Sequence, residues 1–148
     1  MTAILIDTNV LVYAHDRGEY QKQGQAIETL AALQAAGSGR LSVQCLAEFF
    51  SATTRGQLPK LSAEQAYDQI ENLSQTFRVY DLTAMVVLEA ARGVQTYSLS
   101  YFDAQIWATA RLNQVPIIFS EDFASNTMLE GVSFINPFAP AFSLESWV

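Results

Sequence analysis

Four acidic side chains, Asp7, Glu48, Asp103 and Asp122, stand beside segments apolar enough to be buried. Carboxylates drawn together repel one another, and some would stay protonated unless a cation lay between them. Mg²⁺ and Mn²⁺ suit such a group, because they prefer oxygen ligands and use few carboxylates together with water and substrate phosphate. Two ions about 3.5–4 Å apart would balance four carboxylates and clamp the attacking and leaving oxygens of a phosphodiester. No histidine base is needed, which suits a chain whose only histidine is His15. One cysteine, Cys45, and one histidine cannot supply the usual ligands of zinc.

Each acid also has an ordinary reading. Asp7 could cap the helix that follows it. Asp103, three residues after Ser100, could be a capping-box partner or a dipole-stabilising acid. Asp122 could be plain turn chemistry, and Glu121 beside it is an equal candidate for the fourth acid on spacing alone. Glu48 is harder to explain away. Cys45 and Ala52 are its helical neighbours, and Phe49 to Thr53 carries no charge. A carboxylate at the border of an apolar stripe is costly unless paired. Among the cations, Arg17, Arg55 and Arg78 read first as surface charges. Arg55 has the best claim to touch nucleic acid, being on the helix of Glu48, although near its far end.

The elements that must position these acids can be read from periodicity and caps. Ala3 to Ile6 is a continuously apolar run, as in a buried parallel strand. Lys22 to Ala36 has helical spacing and is stopped by Gly37 and Gly39. Leu41 to Val43 reads as a short strand, and Ser42 can cap a helix running to about Arg55. Ser62 with Gln65 forms a capping-box pattern for a helix to about Gln75. Phe77 to Tyr80 reads as a strand, Thr83 to Tyr97 and Tyr101 to Asn113 as helices, Val115 to Phe119 and Val132 to Ile135 as strands. Strands alternating with helices imply a mostly parallel sheet of about five strands covered on both faces, a three-layer α/β/α sandwich.

That order brings the acids together. Ligands of open parallel sheets bind beyond the carboxyl ends of the strands. Asp7 follows the first strand, and Glu121 and Asp122 follow the strand ending at Phe119. Glu48 is about two turns into a helix that starts at the same edge. Asp103 opens the helix that leads back into Val115 to Phe119, so it too begins at that edge.

The 148 residues suit one domain with a real core. The expected division is a domain over 1–137 and a tail over 138–148, whose Phe138, Phe142, Leu144 and Trp147 would pack on the domain or on a second copy. A single cysteine excludes a disulfide framework within the chain and suggests a reducing compartment. No secretory signal or membrane span is recognisable, and a cytoplasmic location is expected. The formal charge of −7 disfavours unaided binding to phosphates. It is compatible with metal ions bridging two negative partners.

Four segments resemble, in order, the motifs of the PIN-domain nucleases and, within them, the VapC-type toxins of bacterial toxin–antitoxin pairs. They are Ile-Leu-Ile-Asp-Thr-Asn-Val-Leu-Val-Tyr (4–13), Leu-Ser-Val-Gln-Cys-Leu-Ala-Glu-Phe (41–49), Leu-Ser-Tyr-Phe-Asp-Ala-Gln-Ile-Trp-Ala-Thr-Ala (99–110) and Ile-Phe-Ser-Glu-Asp-Phe (118–123). The resemblance implies catalytic and metal-holding roles for Asp7, Glu48, Asp103 and Asp122. Asp122 is preferred over Glu121 because Ser-x-Asp is the commoner family spacing. It implies that Asn9 orients the Asp7 loop and that Ser120 is the family's hydroxyl. It further implies an Mg²⁺- or Mn²⁺-dependent endoribonuclease with one or two ions, a homodimer, and inhibition by a cognate antitoxin. Alternatives are a PIN-type nuclease acting alone in RNA processing, or a non-catalytic RNA-binding module of the same fold. An aspartyl phosphatase is disfavoured because Asn9 stands where such enzymes carry a second aspartate.

Overall fold

The computed structural model describes residues 1–124 and 126–148. Ile4–Ile6 forms β1, and all three side chains are fully buried. Asp7 then caps a short helix, α1, Thr8–Tyr13. The chain continues through α2 (Tyr20–Ala36), β2 (Gly39–Ser42), α3 (Val43–Thr54), α4 (Ala63–Thr76), β3 (Arg78–Tyr80), α5 (Ala84–Tyr97) and α6 (Tyr101–Leu112). It ends with β4 (Ile117–Phe119), β5 (Thr127–Leu129), β6 (Val132–Ile135) and a 3₁₀ turn at Leu144–Ser146.

One six-stranded sheet runs in the order β3-β2-β1-β4-β6-β5. All neighbours are parallel except β5 and β6. The α/β architecture expected from the alternating pattern is therefore observed, with one strand more. That strand, β5, was not foreseen. Its Thr-Met-Leu is too short to show a period, and it exists because Glu130 and Gly131, both at positive φ, turn it back onto β6.

Helix boundaries follow from local chemistry. Ser42 Oγ accepts from Cys45 N, so the strand ends at Ser42 and Val43 is already helical. The expected strand to Val43 is corrected by that cap. Ser62 and Gln65 form both bonds of the capping box. Gly37 closes α2 in the left-handed region at φ 69°. Gly39 is not a helix stop but part of β2, where a Cβ would come within 2.5 Å of the Phe77 ring. The strand expected from Val115 begins at Ile117, because Val115 N bonds back to Ala110 at the end of α6.

The core packs around β1, β4 and the helix stripes, with Trp107, Phe49, Phe119 and Phe134 fully buried. α5 and α6 pack closely on each other. Trp107 Nε1 donates to the Leu129 carbonyl at 3.1 Å, and Glu130 accepts from both Arg92 and Tyr97. These bonds tie the β5–β6 hairpin to that helix pair. The last residues fold onto the body: Phe142 and Trp147 meet the Phe119 ring edge-on, and Phe138 meets Tyr13. No helix among the described residues is long and apolar enough to cross a membrane.

Candidate active site

The connection from β1 leads to β2 on one side, while β4 lies on the other side of β1. This is a topological switch point, where the chain parts and leaves a crevice over the carboxyl ends of the strands. Ile6 pairs with Phe119, so the next residues, Asp7 and Ser120, leave the sheet side by side.

Asp7 is 3 % exposed and is the centre of the cluster. Its Oδ1 accepts from Thr8 N at 2.7 Å, and its Oδ2 accepts from Ser120 Oγ at 2.6 Å. Capping and site geometry are thus the same conformation of one residue. Burial pushes its carboxyl up to about 7, against the Ser120 and Thr8 bonds, and the charges of Asp122 and Glu48 add to the rise. Ser120 Oγ in turn accepts from Asp122 N at 3.1 Å and from Asn9 Nδ2 at 3.4 Å. Asn9 Oδ1 accepts from Glu121 N at 3.3 Å. Asn9 and Ser120 therefore clamp the loop after β4 to the loop after β1.

Glu48, on α3, accepts at Oε1 from Thr8 Oγ1 at 3.0 Å and from Gln44 Nε2 at 3.3 Å. Asp122 keeps much of its surface exposed. Partial burial and the charge of Asp103 raise its carboxyl, while a hydrogen bond from Asn9 lowers it. Asp103 lies in the first turn of α6, whose cap Ser100 makes no side-chain bond, so the capping-box reading of Asp103 is not realised. The fields link the four acids into one group: Glu48 and Asp122 act on Asp7, and Asp103 acts on Asp122. Of the four, Glu48 and Asp122 line the adjoining cavity, and Asp7 and Asp103 do not.

Glu121 is engaged differently. Lys22 Nζ lies 2.6 Å from its Oε2, and Tyr13 donates its hydroxyl to Oε1 at 2.6 Å. Burial works to raise Glu121, but Lys22 and Tyr13 outweigh it and hold the carboxyl below its ordinary value. Lys22 and Tyr13 were not singled out from sequence. They come from the start of α2 and the end of α1, and no local pattern relates them to residue 121.

A cavity of about 610 Å³, open to solvent, adjoins this cluster and is lined by Thr8, Asn9, Glu48, Arg55, Glu121 and Asp122. Arg55 is therefore on the same cavity as Glu48, although it follows the last residue of α3. Asp16 also lines it. His15 is half-buried against Phe49.

None of the ion pairs among the described residues involves Asp7, Glu48, Asp103 or Asp122. A buried aspartate with no ion-pair partner among the described residues, beside the carboxylates of Glu48 and Asp122, is a setting that a hard divalent ion would suit. The same residues do not form a closed cage: among the described residues, no three or more His, Cys, Asp or Glu side chains are grouped to hold a metal unaided.

A parallel α/β sheet with an acid-lined crevice at its switch point defines a class of proteins that meet charged ligands over the carboxyl edge. Within that class, this chain belongs to the PIN domain family, which matches it over residues 4–124. No match is found among curated proteins. Solved structures share the fold. The sarcin–ricin loop cleaving VapC toxin of Mycobacterium tuberculosis superposes with a TM-score of 0.66 at 21% identity, covering 86% of this chain and 98% of that one. A chain of a toxin–antitoxin complex from Klebsiella pneumoniae gives 0.66 at 18% identity, covering 92% and 98%. A chain of a DNA-bound VapBC complex from Salmonella typhimurium gives 0.67 at 13% identity, covering 93% and 99%.

Proposed function

We propose that this protein is a divalent-metal-dependent endoribonuclease, and that it is the toxin of a type II toxin–antitoxin pair. The observation that carries the reading is the setting of Asp7: buried, bonded to Ser120 and Thr8, and within the field of Asp122 and Glu48, in a chain of the PIN domain family. Its structural neighbours include a toxin named for cleaving an RNA loop, and complexes of toxins with antitoxins.

In this reading Asp7, Glu48, Asp103 and Asp122 hold one or two Mg²⁺ or Mn²⁺ ions. Such an ion supplies an activated water and neutralises charge on the scissile phosphate. The protein's own part is to place the acids. Ser120 and Thr8 orient Asp7, and Thr8 and Gln44 orient Glu48. Asn9 holds the strand-end loops in register. Arg55, the basic residue lining the cavity, would donate to a neighbouring phosphate of the RNA. Glu121 is already balanced by Lys22, which favours Asp122 as the fourth acid.

A chain of net charge −7 gains little from RNA phosphates without cations. The same acidic rim suits an antitoxin segment with basic side chains, which would neutralise it. The homodimer has a candidate face on α5, where Met85, Val87, Leu88 and Val94 are exposed. A cytoplasmic location belongs to the same reading, because an RNA substrate would be met there.

Cleavage of a panel of structured RNAs, with Mg²⁺, Mn²⁺ or chelator, tests the proposal. Wild type is expected to cut only with a divalent ion, and Asp7→Asn to be inactive. Undiminished cutting by the variant, or by wild type in chelator, would remove the proposed mechanism.

A further inference from the structure

Gln44 and Gln105 form a buried amide pair between two helices that carry acids of the site. Gln44 lies one turn before Glu48 on α3 and is 8% exposed; Gln105, on α6, is 4% exposed. Gln105 Nε2 donates to Gln44 Oε1 at 2.9 Å, which dictates the orientation of the Gln44 amide. Gln44 Nε2 then points its two protons at two acceptors. One is Glu48 Oε1 at 3.3 Å, and the other is the backbone carbonyl of Phe102 at 3.0 Å. Phe102 directly precedes Asp103.

One amide therefore bonds the carboxylate of Glu48 and the backbone next to Asp103. α3 packs mainly on α1 and α4, and α6 on α5, so the two acid-bearing helices share little direct packing. The amide pair is the polar tie between them. Thr8 Oγ1 falls on the same Oε1 of Glu48, and among the described residues Oε2 accepts no hydrogen bond. Buried amides forgo hydration that an apolar pair would not need. Here they supply what an apolar pair cannot: a donor to the Glu48 carboxylate and a defined orientation for it.

We infer that Gln44, held by Gln105, is a positioning residue that sets Glu48 relative to Asp103 for a divalent ion. The inference rests on the proposed nuclease reading of the site. Outer partners of metal-holding carboxylates typically change affinity or activity by about 10–100-fold when removed.

Two variants test it. Gln44→Met keeps the length of the side chain and removes the amide. The pair Gln44→Leu with Gln105→Leu removes both amides, so neither is left buried without a partner. Mn²⁺ alone is the probe, titrated into metal-free protein and followed by the electron paramagnetic resonance signal of the free ion. In a variant that keeps the wild-type circular dichroism, the Mn²⁺ dissociation constant is expected to rise about tenfold or more. RNA cleavage should fall at low Mn²⁺ and recover as the ion is raised. A folded variant with wild-type Mn²⁺ affinity overturns the positioning role and leaves the nuclease reading standing. A wild-type protein that binds no Mn²⁺ overturns both.

Discussion

Ser120 donates its hydroxyl to Asp7 at 2.6 Å, a bond between residues 113 positions apart. It forms because Ile6 and Phe119 are register partners on adjacent parallel strands, so both chains leave the sheet at the same level. The bond also supports charge: it is the strongest influence lowering an aspartate that burial raises.

Removing that bond tests how far Asp7 depends on it. Ser120→Ala leaves Asp7 Oδ2 and the Asp122 and Asn9 donors without their shared partner. A stability loss of about 1–3 kcal/mol is expected in urea unfolding. Metal-dependent cleavage should drop about 10–100-fold. Wild-type activity in a folded Ser120→Ala protein would show that Asp7 is oriented by Thr8 N alone.

Asp7 also gives the metal-free protein a pH signature. Its folded-state carboxyl is pushed from 3.8 to about 7, so the folded state binds the proton more tightly than the unfolded chain. The resulting stability is complete below the unfolded value and is lost as pH rises through about 7. In chelator, wild type should therefore lose melting temperature relative to Asp7→Asn as pH rises from about 4 to about 7. Added Mn²⁺ should offset the loss in wild type and not in the variant. A difference between the two proteins that stays constant with pH would contradict the burial argument.

Glu121 and Asp122 can be separated by neutralising each. Glu121→Gln should keep cleavage within about threefold, since Glu121 is engaged by Tyr13 and by Lys22 in a partly exposed ion pair of the kind worth little. Asp122→Asn should lower cleavage and Mn²⁺ affinity by about tenfold or more. The opposite ranking would assign the fourth position to Glu121.

Gly93 provides a control away from the acids. A Cβ there would meet the Trp107 ring at 2.8 Å, inside the close α5–α6 contact. Gly93→Ala should destabilise the protein by about 1–3 kcal/mol in urea unfolding. The Mn²⁺ affinity of the folded fraction should not change.

Much of this was legible in the chain itself, for identifiable reasons. The Ile-Leu-Ile run, the Ser62–Gln65 capping box and the Ser42 cap are local signals, read from a few neighbouring residues. They were enough to lay out alternating strands and helices. Sheet rules then placed Asp7, Glu48, Asp103 and the Glu121–Asp122 pair at one edge. Arg55 looked remote on its helix, yet it lines the cavity of Glu48, because the cavity extends along α3 rather than stopping at the strand ends.

Local sequence, through hydrophobic period and cap chemistry, determined the order of elements and the acids at their ends. Only the tertiary structure decided which polar neighbour each acid received: Ser120 for Asp7, Lys22 and Tyr13 for Glu121, Gln44 for Glu48. A hydrogen bond requires partners to meet within about 3 Å at a set angle. Where the two residues are far apart in the chain, that meeting is set by strand register and helix packing, which no short stretch of residues encodes.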